Sequence, residues 1–286
     1  MTQNKISAYL VVYNEEKHIA ACLKSLRLYV DEVIVLHDGP CDDDTINICR
    51  AYNCEVYQVE HVGEAEPHRP LAITKCRYDW VLQIDADERL SPALAESLPG
   101  LVSENQIDAY RFNWIAEING KESNFLTKQI LFRKSKMYFI GLPHRQCETR
   151  GIIKYVNLDL LHDTSEYDTP WQLLKKYLIK NKNWGRIGAK MLAGSVNNIP
   201  AYNCDITDNN LEQMKKIRLI KKYPLIAIFT LPFYSLYYRF FIYKGYKQGW
   251  LGFVLSCHIP IYIFFISYYL IKMRIFNIIT KVRFVF

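Results

Sequence analysis

An apolar run that recurs four times, each time followed by a helix or a turn, constrains this chain more than any other feature of its sequence. Ile6 to Tyr13 is the first run, and Ile19, Cys22, Leu23 and Leu26 then share one face of a helix over His18 to Leu28. Asp31 to Leu36 is the second, closing on His37-Asp38-Gly39-Pro40. Asp42-Asp43-Asp44-Thr45 opens a helix reaching about Tyr52, with acids in the first turn, where the helix dipole favours them. Cys54 to Val59 is the third run, a short helix follows Pro67 as far as Cys76, and Trp80 to Ile84 is the fourth. Strands covered on both faces lose their polar alternation, and parallel strands joined by short helical crossovers form a doubly wound sheet. The pattern predicts an α/β fold.

In open α/β sheets, ligands bind beyond the carboxyl ends of the strands. Three of the four ends carry polar groups: Asn14 and Glu15, then Asp38, then Asp85-Ala86-Asp87-Glu88. Carboxylates at i and i+2 on a turn can reach one hard cation, Mg²⁺ or Mn²⁺, which also holds phosphate oxygens. The same acids could equally form a solvated turn leading into the helix begun at Ser91-Pro92. Neither G-x-G-x-x-G nor a P-loop lysine occurs, which disfavours dinucleotide binding and NTP hydrolysis by those devices. Eight scattered cysteines with no Cys-x-x-Cys pair, and an opening Met1-Thr2-Gln3-Asn4-Lys5 that runs straight into a strand, read as reduced thiols in a cytosolic setting without a secretory signal.

Taken in order, Tyr13-Asn14-Glu15-Glu16, Asp38-Gly39-Pro40-Cys41-Asp42-Asp43-Asp44-Thr45, Arg69 and Asp85-Ala86-Asp87-Glu88 resemble the family 2 glycosyltransferases of GT-A fold. Within them the chain is most similar to the bacterial group that extends lipopolysaccharide cores and related surface glycans. The resemblance covers residues 5–165 well and the tail more loosely. It implies a Rossmann-like, mostly parallel central sheet with a small antiparallel acceptor-side sheet, a nucleotide-sugar donor such as a UDP-sugar, and Mg²⁺ or Mn²⁺. It implies that Tyr13, Asn14 and Glu15 line the nucleoside pocket and that Asp38 accepts a hydrogen bond from the base. Arg69 would neutralise the diphosphate, while Asp85 and Asp87 would face the ribose and the metal. His162, after a strand over Val156 to Leu161, stands where the family often completes the metal's coordination. Strands over Asp108 to Trp114 and Gln129 to Arg133 would pair on the acceptor side. Two positions depart from the family: Pro70 replaces a usual asparagine, and Arg145 stands where the glutamate of a Val-His-Glu segment is expected. An inverting transferase needs a carboxylate to deprotonate the acceptor hydroxyl, and Glu148 is the nearest replacement.

The tail differs in character. Pro170 to Met191 is a helix with a basic face of Lys175, Lys176, Lys180, Lys182, Arg186 and Lys190, and a second basic helix follows the polar connection Asn197 to Asn210. Much of the net charge of +7 gathers here, which suits an anionic membrane surface rather than nucleic acid. Leu225 to Tyr238 and Trp250 to Ile271 then carry no Asp, Glu, Lys or Arg, and the second is nominally long enough to cross a bilayer. Crossing competes with lying in the interface. Basic flanks on every side, and Pro224, Pro232 and Pro260 read as interruptions, favour peripheral or re-entrant attachment at the cytoplasmic face of the inner membrane. A homo-oligomer would be another way to cover these aromatics. The divisions expected are a GT-A nucleotide-sugar-binding and catalytic domain over 1–165, a basic helical segment over 166–222, and hydrophobic, aromatic-rich membrane-associating helices over 223–286. The function expected is metal-dependent sugar transfer, with inversion, to a membrane-held glycolipid or polysaccharide. A degenerate scaffold of the same fold and a sugar nucleotidyltransferase are the alternatives.

Overall fold

The computed structural model describes residues 4–118, 121–163, 169–194, 199–204 and 212–283. The chain divides into two compact units, the first made of Met1–Gly141, Gln146–Glu166 and Pro200–Cys204. In it the four apolar runs become β1 (Ile6–Val12), β2 (Glu32–Asp38), β3 (Glu55–Val59) and β4 (Trp80–Gln83). Between them lie α1 (Ile19–Leu26), α2 (Thr45–Ala51) and α3 (Arg69–Lys75). β1 pairs parallel with β2 on one side and β4 on the other, and β2 pairs parallel with β3. Alternate residues of β1 serve opposite cores. Ala8, Leu10 and Val12 join Ile19, Leu23 and Leu26 of α1, while Tyr9 and Val11 join Ala72 and Ile73 of α3. A strand packed on both faces has no polar position to offer, as the unbroken apolar runs required.

β5 (Glu88–Leu90), α4 (Pro92–Val102), β6 (Ala109–Ile118), β7 (Lys121–Arg133) and β10 (Ile153–His162) continue this unit. Ser91 caps α4 by accepting from the Leu94 amide, with Pro92 in its first turn. The sheet order is β3-β2-β1-β4-β7-β6-β10-β5, with β7 antiparallel to β4 and to β6. β8 (Met137–Ile140), β9 (Glu148–Thr149) and β11 (Ala201–Tyr202) form a separate antiparallel sheet. This is the mostly parallel sheet with a small antiparallel partner that the GT-A resemblance implies.

Two details differ from expectation. β7 is far longer than Gln129 to Arg133, because it pairs along nearly the whole of β6. Glu88 is no solvated turn acid: it opens β5, pairs in register with His162 and is 1% exposed. That strand pairing is long-range and leaves no local signature.

The second unit comprises Leu142–Arg145, Tyr167–Ile199 and Asp205–Phe286. The expected boundary at residue 165 falls in 164–168, and much of the connection Asn197 to Asn210 in 195–198 and 205–211, outside the described residues. The stretch 166–222 is divided, since Pro200–Cys204 belongs to the first unit. α5 (Pro170–Ala193) starts from a capping box between Thr169 and Gln172, and α6 (Glu212–Lys222), α7 (Pro224–Tyr237) and α8 (Gly249–Arg283) follow. The prolines do not interrupt these helices. Pro224 sits in the first turn of α7, while Pro232 and Pro260 lie inside continuous helix. Around Pro260, which is buried, packing against α5 holds both halves of α8 in line.

Candidate active site

The strand order reverses where β1 separates β2 from β4, and in such sheets a crevice opens there beyond the carboxyl ends. At the end of β1, Tyr13 is exposed, its ring 4.8 Å from that of His61. Asn14 takes the left-handed conformation at φ 51°, and its Oδ1 accepts from the Asp42 amide. The Glu15 amide donates to Thr45 Oγ1. Beyond β2, Asp38 is buried and accepts from the amides of Val62 and Gly63 and from His68 Nε2 at 2.7–2.9 Å. Burial acts to raise its pKa, but these hydrogen bonds, led by His68, outweigh it and hold the carboxyl below its usual range. Asp38 thus fastens the loop leading to Arg69.

Beyond β4 the three acids have different surroundings. Both oxygens of Asp85 are engaged: Arg69 Nη2 donates to Oδ1 at 2.8 Å, and Lys128 Nζ to Oδ2 at 2.6 Å. Lys128 and Arg69 overcome burial and hold its carboxyl far below the usual range. Glu88 accepts from Lys128 on both oxygens, from Trp114 Nε1 at 2.8 Å and from the Asp85 amide. Asp87 keeps its carboxylate near His162, with Oδ2 3.3 Å from Nε2, and its carbonyl accepts from the Asp163 amide. The rings of His162 and Trp114 lie 4.4 Å apart, tilted by 34°, and His162 Nδ1 is buried without a hydrogen-bond partner among the described residues. Among the described residues Arg69, 5% exposed, likewise has no partner for Nε and Nη1.

Asp87 and His162 are therefore adjacent, a carboxylate oxygen and an imidazole of the kinds that Mg²⁺ and Mn²⁺ accept. Among the described residues no three His, Cys, Asp or Glu side chains converge on one point. Glu148 stands apart from this network on β9, where its carboxylate accepts from Tyr138. His144 and Arg145 belong to the second unit. There His144 Nε2 is 2.7 Å from Asn181 Oδ1, with the rings of Trp184, His258 and Tyr262 at 4.5–4.6 Å.

Lys128 and the structural role of Glu88 escape a reading of the sequence. The usable signal was a lysine leading directly into the buried run Gln129-Ile130-Leu131-Phe132, where a charge requires a partner.

The sequence model of glycosyl transferase family 2 matches residues 7–161. A glycosyltransferase of Rickettsia typhi is 35% identical over 106 residues, 37% of this chain and 36% of that protein. A lipopolysaccharide core biosynthesis glycosyltransferase of Rhizobium meliloti is 31% identical over 102 residues, 34% of this chain and 37% of that one. The chain thus spans little more than a third of the curated relatives it matches. Among solved structures, S. aureus TarS 1-349 in complex with UDP-GlcNAc aligns at TM-score 0.46 and 14% identity, covering 93% of this chain and 91% of that one. Glucosyl-3-phosphoglycerate synthase of Mycobacterium tuberculosis, in complex with Mn²⁺, UDP and glucosyl-3-phosphoglycerate, aligns at 0.44 and 18%, covering 66% of this chain and 79% of that one.

Proposed function

The chain belongs to glycosyltransferase family 2, and we propose that it moves a sugar from a nucleotide-diphosphate donor, such as a UDP-sugar, to a membrane-held glycolipid or polysaccharide, with inversion and with Mg²⁺ or Mn²⁺. The observation that carries this reading is Asp87 beside His162 just beyond the carboxyl end of β4, two residues from an aspartate already paired with Arg69. Asp87 and His162 would hold the cation. When bound, it supplies Lewis-acid stabilisation of the departing diphosphate. Arg69 adds fixed positive charge from a rigid helix start, and Asp38, held by the Val62 and Gly63 amides, would accept a hydrogen bond from the base. Tyr13, Asn14 and Glu15 form the nucleoside wall, with Asp85 toward the ribose. Glu148 is the base for the acceptor hydroxyl, as the carboxylate nearest to where Arg145 has displaced the family's glutamate.

The site of action is the cytoplasmic face of the inner membrane, with the tail lying in the interface. α5 runs parallel to α8 over most of its length. Trp171 meets Trp250 at 5.0 Å and Tyr177 stacks on His258 at 4.2 Å, while Gly185 lies directly against Phe265. A bilayer-crossing α8 would carry α5 with it, and Lys180, Lys182 and Arg186 point outward from α5. Each would cost about 2.5–3.5 kcal/mol at the membrane centre, roughly 8–10 kcal/mol together. α7 instead turns Leu225, Ile226, Phe229, Phe233 and Tyr237 outward, an apolar face suited to shallow insertion among anionic headgroups.

Incubation with a panel of nucleotide sugars and Mn²⁺ should release nucleoside diphosphate from one of them. Asp87→Ala should lower that release at least about 100-fold. Nucleotide binding without release in the presence of membrane extract would identify a scaffold instead.

A further inference from the structure

Lys128 sits where its chemistry needs explaining. It comes from β7, is 9% exposed, and offers three N–H donors to three oxygens: Asp85 Oδ2 at 2.6 Å, Glu88 Oε1 at 2.7 Å and Glu88 Oε2 at 2.8 Å. All of its donors are used. The remaining oxygen of Asp85 is taken by Arg69, and Glu88 also accepts from Trp114 and the Asp85 amide. An ammonium group is thus lodged between two of the three carboxylates of the acidic turn and occupies oxygens of the kind that a divalent cation takes.

We propose that Lys128 is a positioning residue, a built-in cation that reserves Asp85 and Glu88 and confines an exchangeable metal to Asp87 and its neighbour His162. This rests on the metal-dependent reading above and deepens it. A site with one carboxylate and one imidazole holds a cation weakly until donor phosphates complete it, so metal and nucleotide arrive together. With the ammonium removed, Asp85 Oδ2 and Glu88 could add charged oxygens to that pair and hold the cation without the donor, since affinity for hard cations rises with the number of charged oxygen ligands. Lys128 also neutralises Glu88, which at 1% exposure could not remain an isolated anion.

The test is Mn²⁺ binding without nucleotide, read by the paramagnetic resonance signal of free Mn²⁺. Lys128→Met releases Glu88 and Asp85 Oδ2, with Arg69 still on Oδ1, and Lys128→Met with Glu88→Gln releases Asp85 Oδ2 while sparing the fold an unpaired buried Glu88. Both should bind Mn²⁺ about tenfold or more tightly than the wild type, with Lys128→Arg within about twofold of it. A variant that folds only when Mn²⁺ is added is also an expected result. Wild-type Mn²⁺ affinity in the folded double variant overturns the proposal, as does failure of both Met variants to fold even with Mn²⁺. If the wild type binds no Mn²⁺ even with its nucleoside diphosphate, the metal-dependent reading itself is lost, separately from the comparison of variants in Mn²⁺ alone.

Discussion

Gly185 offers a stringent test of the pairing between α5 and α8 on which the in-plane placement of the tail depends. A Cβ added there would lie 2.6 Å from Phe265 Cβ and 2.9 Å from both Ile266 N and Phe265 C. Ordinary contact begins near 3.4 Å, so the two helices would have to part by about 0.8 Å at their closest approach. Overpacking typically costs about 1–3 kcal/mol, and backbone atoms provide no rotamer to absorb the strain, which places Gly185→Ala at about 2–3. Alanine returns about 1 kcal/mol of helix propensity, leaving a net loss of about 1–2 kcal/mol. Gly188, one turn on, is the control. Its Cβ would meet only Ile266 Cδ1 and Tyr262 Oη at 2.9 Å, the far ends of side chains that can turn away. Gly188→Ala should therefore be neutral or stabilise by up to about 1 kcal/mol. Thermal unfolding in detergent, followed by helical circular dichroism, should show Gly185→Ala melting several degrees lower, at about 2–4 °C per kcal/mol for a chain of this size. A Gly185→Ala protein as stable as the wild type would mean that the close packing of α5 on α8 does not exist, and the argument against bilayer crossing would go with it.

Three further outcomes follow from the geometry. Phe229→Asp with Phe233→Asp should abolish binding to anionic phospholipid vesicles in a sedimentation assay while leaving the thermal transition intact; undiminished binding would move the insertion surface off α7. Glu88→Ala leaves Lys128 with Asp85 alone and Trp114 Nε1 without its acceptor, and should destabilise the first unit by about 1–3 kcal/mol in urea titrations, against a much smaller loss for a surface acid such as Glu96. Because the folded pKa of Asp38 is depressed, the stability it contributes is present above its unfolded value, about 3.9, and is lost as pH falls through the folded value. The protection of the Val62 and Gly63 amides, measured against their intrinsic exchange rate at each pH, should therefore fall on acidification below about pH 4, and protection that persists unchanged to pH 3 would contradict the assignment.

The sequence alone determined the parallel half of the sheet, because a strand buried on both faces must be apolar throughout and that pattern is local. It also placed Asn14, Asp38 and Asp85 at strand ends, since each interrupts an apolar run where the strand stops. Helix starts at Ser91 and Thr169 were legible for the same reason: a cap is satisfied within three residues. Tertiary structure decided which acid does what. Asp85, Asp87 and Glu88 are nearly equivalent in the sequence, and they differ only because Lys128 arrives from β7 and His162 from β10, about 40 and 75 residues away along the chain. Likewise, no local pattern could reveal that Pro232 and Pro260 sit in unbroken helices, since a helix survives a missing hydrogen bond when its neighbours hold it straight. Roles assigned by charge pairing over long separations belong to the fold, because the energy that separates otherwise identical side chains comes from partners that the local sequence does not contain.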